Sequence, residues 1–129
     1  MWNKEGAAVS PGVTASQRAK EKKRFLAAQT AAQAEITSLL EQQLSEDDKE
    51  GQVEVLAAYK ELVSARSFSN SVLTFIDKNQ ASAEAAVEDT VNEIVSMLIL
   101  LDTDYMRQRA VNIKEIGNHL LRHLQITKT

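Results

Sequence analysis

The chain has 129 residues, a mass of 14.3 kDa and a formal net charge of −3, with no cysteine, one proline and four glycines. The missing cysteine excludes a disulfide scaffold, a thiolate metal site and a cysteine nucleophile. Three of the five Pro and Gly residues (Gly6, Pro11, Gly12) fall within the first twelve positions, so the remainder of the chain holds too few turn formers for most β-rich folds.

Residues 1–15 read as an extended tail or the stub of a strand, small and apolar through Ala7-Ala8-Val9-Ser10 and broken by the Pro11-Gly12 turn signal. The predicted bundle occupies 16–129. Ser16 is the expected N-cap of a first helix running to about Leu44, with Phe25, Ala28, Ala32, Ile36, Leu39, Leu40 and Leu44 repeating at helical steps. The basic run Arg18–Arg24 is expected to be a solvated face of its first turns. Residues 1–24 carry six Lys/Arg against two Glu, a net +4, which leaves −7 on the other 105 residues. A mildly acidic body argues against a nucleic-acid partner.

Ser45-Glu46-Asp47-Asp48 should end the first helix and begin a second, with Ser45 as its N-cap and the carboxylates at its positive end. That helix continues through Val53, Leu56, Tyr59, Leu62, Val63, Val72, Phe75 and Ile76. Its middle, Ser64-Ala65-Arg66-Ser67-Phe68-Ser69-Asn70-Ser71, is rich in poor interior helix residues. A kink, an unwound turn or two shorter helices is expected near Ser64-Ser71. Asp77-Lys78-Asn79-Gln80 reads as a loop, and Ser82 as the N-cap of a third helix. Ala83, Val87, Val91, Ile94, Leu98 and Leu101 then form a one-faced stripe. Asp102 or Thr103 caps a fourth helix, whose buried side is Met106, Ala110, Ile113, Gly117, Leu120 and Leu124. Gly117 within that stripe points to close helix–helix packing.

The predicted fold is all-α, an antiparallel four-helix bundle of two helical hairpins with a kinked second helix and a short irregular N-terminal tail. At 1.5 Å per residue, first and second helices of about thirty residues would be roughly 45 Å long and outrun the others, which the bend accommodates. The longest uncharged apolar stretch, Ile94 to Leu101, is eight residues, against about twenty for a membrane span. No secretion signal is visible at the N-terminus, and the cytoplasm is the expected compartment.

No constellation supports chemistry. Glu115, His119 and His123 share a helix face, but the spacing matches no bundle-type metal motif, and they are expected to face water. Asp102 and Asp104 read as caps, with Arg107 and Arg109 as partners. There is no nucleophile elbow and no phosphate loop. Arg66, Arg107 and Arg109 are too few and too far from the apolar stripes for a small helical mutase that holds a dicarboxylate. Tyr59, Leu62, Phe68, Ile99 and Tyr105 cannot all reach one seam. They are either core on a wide face or a docking patch between the second helix and the third–fourth hairpin.

Ala81–Leu121 resembles the helical subdomain of enzyme I, the phosphoenolpyruvate–protein phosphotransferase that starts the bacterial sugar phosphotransferase system. Ser82-Ala83-Glu84-Ala85-Ala86 is similar to the family's T-A-x-x-A helix start. Leu101-Asp102-Thr103-Asp104-Tyr105-Met106-Arg107-Gln108-Arg109-Ala110 is similar to its D-x-Y-(L/M)-x-x-R-A junction. Ile113-Lys114-Glu115-Ile116-Gly117-Asn118-His119-Leu120-Leu121 is similar to its (V/I)-(R/K)-(D/E)-(I/V)-G-x-x-(L/I)-L tail. Val9-Ser10-Pro11-Gly12-Val13 resembles the family's opening A-S-P-G-(I/V) strand. The resemblance implies a module that docks HPr, the small phosphocarrier, without the phosphohistidine domain and its G-G-x-T-S-H motif. It implies no cofactor in this chain, magnesium and phosphoenolpyruvate belonging to a full-length parent. By position it maps the carrier-binding surface to Glu50, Tyr59, Leu62, Val63, Phe68, Leu98, Met106 and Arg109. Ser64-Ala65-Arg66-Ser67 and Tyr59 stand where the family has an acidic segment and a histidine, which implies weaker electrostatic steering of a basic carrier. The alternative is a free-standing interaction or scaffolding module, with a homodimer as one form.

Overall fold

A computed structural model describes residues 15–45 and 52–126. Among these residues it contains five helices and no strand: α1 Ala15–Leu44, α2 Gln52–Ser64, α3 Arg66–Asn79, α4 Ala83–Leu100 and α5 Asp104–Ile126. The expected tail, the acidic cluster at 46–48 and Glu50 lie outside the described residues.

The expected second helix is two helices. Ala65 has extended backbone (φ −64, ψ 126) between α2 and α3. A break frees carbonyls that no downstream N–H can reach. Gln29 of α1 answers this, donating from Nε2 to the Val63 carbonyl at 2.8 Å and reaching Ser69 Oγ at 3.1 Å, while Gln33 Nε2 donates to Ser64 Oγ. Ser69 Oγ in turn donates to the Ala65 carbonyl. The serines therefore stabilise a specific joint against α1.

Other boundaries shift. Ser16 lies inside α1 and does not cap it. Ser45 serves the end of α1, its hydroxyl donating to the Gln42 carbonyl; its expected role as the next helix's cap falls on a segment outside the described residues, and α2 is described from Gln52. Asp77, Lys78 and Asn79 form the last turn of α3, which ends on Gln80 in the left-handed region (φ 50) with its N–H bonded to the Ile76 carbonyl. The caps of α4 and α5 are as expected: Ser82 Oγ accepts from Ala85 N, and Thr103 Oγ1 from Met106 N.

The core draws on every helix. Phe25, Ala28, Ala32 and Ile36 of α1 meet Leu56 and Val63 of α2, Phe68, Val72 and Ile76 of α3, and the inward faces of α4 and α5. Helix α1 packs against all four others, α4 pairs with α5, α3 lies on α4, and α2 reaches α5. Gly117 is why α4 and α5 approach so closely: a Cβ there would lie 3.0 Å from Val91 Cγ2. The expected stripes hold in the middle and fail at their ends. Leu39, Leu44 and Leu101 are exposed, and Met106 is half-buried. Ala86, Thr90, Val95 and Ile116 are buried in addition, because each of these helices has more than one neighbour and so buries a wider arc than a single seam.

Lys20 and Lys23 of the basic run are exposed as expected, but Arg24 is not. Its guanidinium grips Glu84 of α4 with two hydrogen bonds (3.0 and 2.8 Å), Glu21 at 2.7 Å and the Leu124 carbonyl of α5 at 3.0 Å. Glu21 also accepts from the Ala83 N–H at 2.8 Å, placing a carboxylate at the positive end of α4. Arg18 and Lys22 face Asp77 of α3.

Candidate functional site

Two grooves are lined in part by residues of α2. Glu54, Val55 and Ala58 line the first, of about 300 Å³, with Tyr105, Gln108, Arg109 and Asn112 of α5 opposite. Leu62 and Ala65 line the second, of about 390 Å³, closed by Ser67, Phe68 and Ser71 of α3, Glu93, Ile94 and Met97 of α4, and Ile113 of α5. Met97 and Tyr105 are 62% and 64% exposed. Arg109 spreads its guanidinium over the Tyr105 ring, 5.9 Å from the centroid, a cation–π contact that fixes both side chains at the rim.

The predicted site residues divide. Leu62 and Arg109 line the grooves. Leu98 and Met106 are half-buried near the α4–α5 corner and line neither. Val63 (0% exposed) and Phe68 (4%) are core residues. Val63 is sealed in the core, its carbonyl held by Gln29 of α1, and Phe68 packs tilted against Phe25, centroids 6.4 Å apart, while still lining the second groove. Tyr59 lines neither groove and packs on the His119 ring at 6.3 Å; burial, and then Glu115, push its hydroxyl above the ordinary value. Val55, Ala58 and Met97 are groove residues that sequence reasoning misses. They are apolar residues outside the main stripes, the same signal that marks Ile99 and Tyr105. Ile94, expected in the buried stripe of its helix, is half-buried and lines the second groove.

Arg66 and Arg107 are exposed, and Arg107 is spent on Asp102 and Asp104 at the α4–α5 turn. Among the described residues, no group of three His, Cys, Asp or Glu is arranged to hold a metal ion, and no helix is long and apolar enough to cross a membrane. Of the α5 face expected to meet water, Glu115 is exposed, whereas His119 and His123 are half-buried against Glu35 of α1. Burial pushes the Glu35 carboxyl up, but hydrogen bonds from His123 and His119 outweigh it and hold the group below its ordinary 4.5. A depressed folded value supplies stability above the unfolded value, which is lost as pH falls through the folded one. Urea midpoints of the wild type and Glu35→Gln should therefore converge as pH drops below about 4.5; a gap that stays constant from pH 7 to pH 3 contradicts this.

The profile of the family described as PEP-utilising enzyme, N-terminal, matches residues 4–109. Among curated proteins, the phosphoenolpyruvate-protein phosphotransferase of Listeria monocytogenes is 26% identical over 104 residues, covering 81% of this chain and 18% of that protein. The protein of the same name from a Bacillus species is 27% identical over 120 residues, covering 89% of this chain and 21% of its own length. The chain thus spans about a fifth of these relatives. Among solved structures, an NMR solution structure of Enzyme I superposes with a TM-score of 0.83 at 26% identity, covering 88% of this chain and 46% of that one.

Proposed function

The chain belongs to the PEP-utilising enzyme N-terminal family, and from that premise we propose that residues 16–129 form a docking domain for HPr or an HPr-like phosphocarrier of the sugar phosphotransferase system. The parent activity would be phosphoryl transfer from phosphoenolpyruvate in the cytoplasm, with this domain contributing by holding the carrier. Docking helps phosphoryl transfer by positioning: holding the acceptor near its donor converts an encounter into an effectively unimolecular step.

The observation that carries this reading is the pair of grooves lined in part by α2, walled by α3, α4 and α5 and left with exposed Met97 and Tyr105. Its acidic groups, Glu54 and Glu93, stand at the two grooves and suit a carrier that presents basic residues. The free-standing scaffold is not favoured by the family match.

Placing a charge inside the groove tests it. Leu62 is half-buried at the groove wall, so Leu62→Asp should weaken HPr binding in calorimetry by at least about tenfold, a loss of about 1.4 kcal/mol or more. Lys20→Asp, on an exposed part of α1, should leave affinity unchanged. Equal affinities for wild type and Leu62→Asp would remove the groove from the interface.

A further inference from the structure

Two imidazoles of α5 converge on one oxygen of α1. Oε1 of Glu35 lies 3.0 Å from Nδ1 of His119 and 3.2 Å from Nε2 of His123. The second contact closes simply, since a neutral ring with its proton on Nε2 donates to the carboxylate. His119 differs, because its Nδ1 also lies 2.7 Å from Nη2 of Arg122, and a guanidinium only donates. With a lone pair on Nδ1, His119 accepts from Arg122 but turns that lone pair toward the Glu35 anion. With a proton on Nδ1 it serves Glu35 and meets an Arg122 N–H head-on. No protonation state of His119 satisfies both neighbours.

We propose that this contested nitrogen is a proton-operated latch between α1 and α5. When His119 gains a proton, Nδ1–H locks onto Glu35 and the new positive charge expels Arg122. When it loses that proton, Nδ1 accepts from Arg122 and Glu35 is left to His123. The groups that face the ring are Glu35 from α1, Tyr59 from α2, whose ring packs on it, and Glu115, Arg122 and His123 from α5 itself. Helix α4 meets α5 at Val91 against Gly117. Glu35 remains ionised while an imidazole titrates, consistent with its depressed carboxyl value.

The test follows the His119 ring nitrogens and the Arg122 guanidinium by NMR on the full chain from pH 5 to pH 9. At high pH Nδ1 of His119 should carry no proton. The Arg122 side-chain signals should move with the same midpoint as the His119 ring. Glu35→Gln removes the anion and should lower that midpoint by about one pH unit. Arg122→Gln removes the competing cation from an exposed position and should raise it. The Arg122 variant carries the comparison alone if Glu35→Gln does not fold. An Arg122 signal indifferent to the His119 titration, a proton on Nδ1 at both ends of the range, or a midpoint unmoved by Arg122→Gln would overturn the latch.

Discussion

Truncating Phe68 to alanine is expected to destabilise the bundle by about 3–5 kcal/mol, the range for removing a buried aromatic ring. The ring is 4% exposed and tilts at 53° against Phe25, which is 0% exposed. It also sits three residues past the break at Ala65, so it pins α3 onto α1 directly after the chain changes direction. Urea unfolding followed by circular dichroism measures the loss. Phe68→Leu, which keeps most of the volume, should cost less and leave carrier affinity close to wild type. A loss under about 1 kcal/mol for Phe68→Ala would return Phe68 to the surface role that homologous position assigns it.

The second large effect is expected at Arg24. The side chain is 13% exposed and holds Glu84, Glu21 and the Leu124 carbonyl together. Its hydrogen bond to Glu84 is the main reason its own value is pushed above the ordinary one. Its Nε is buried and bonds no protein group among the described residues. Removing the guanidinium is costly, because two carboxylates at the start of α4 lose their counter-charge at once. Arg24→Met, which keeps the aliphatic stem, should lose about 3 kcal/mol, the low end for breaking a buried ion pair. Arg24→Met with Glu84→Gln should recover part of this, since one of the two stranded charges is then gone. A loss below about 1 kcal/mol, the value of an exposed pair, would mean that Arg24 is solvated after all.

The parts of the fold that are legible in the sequence are those whose cause is local. Phe25, Ala28, Ala32 and Ile36 repeat at helical spacing and are buried as expected. Ser82 and Thr103 cap because an N-cap needs only a hydroxyl three residues before an unpaired N–H. The joint near Ser64-Ser71 is legible in kind, since serines compete for backbone hydrogen bonds. Its position at Ala65 is not, because the carbonyl left free is satisfied by Gln29, 34 positions earlier.

What stays hidden depends on distant partners. Arg24 and Glu84 are 60 positions apart, and Glu35 and His119 are 84; no local pattern distinguishes them from solvated charges. The candidate site divides on the same ground. Periodicity marks Leu62 as apolar, but whether Leu62 and Phe68 face solvent or core is decided by where α3 turns after Ala65. On α4, the one-faced stripe assigns Ile94 to the core and leaves Met97 off it. Helix α3 covers α4 from a second direction, and the groove between them takes in both residues.

Chemical-shift mapping with HPr tests the docking role most directly. On adding the carrier to the labelled chain, the backbone signals of 54–65, 93–97 and 105–113 should shift, and those around Lys20 should not. Shifts confined to the far side of α1, or none at millimolar carrier, would contradict it.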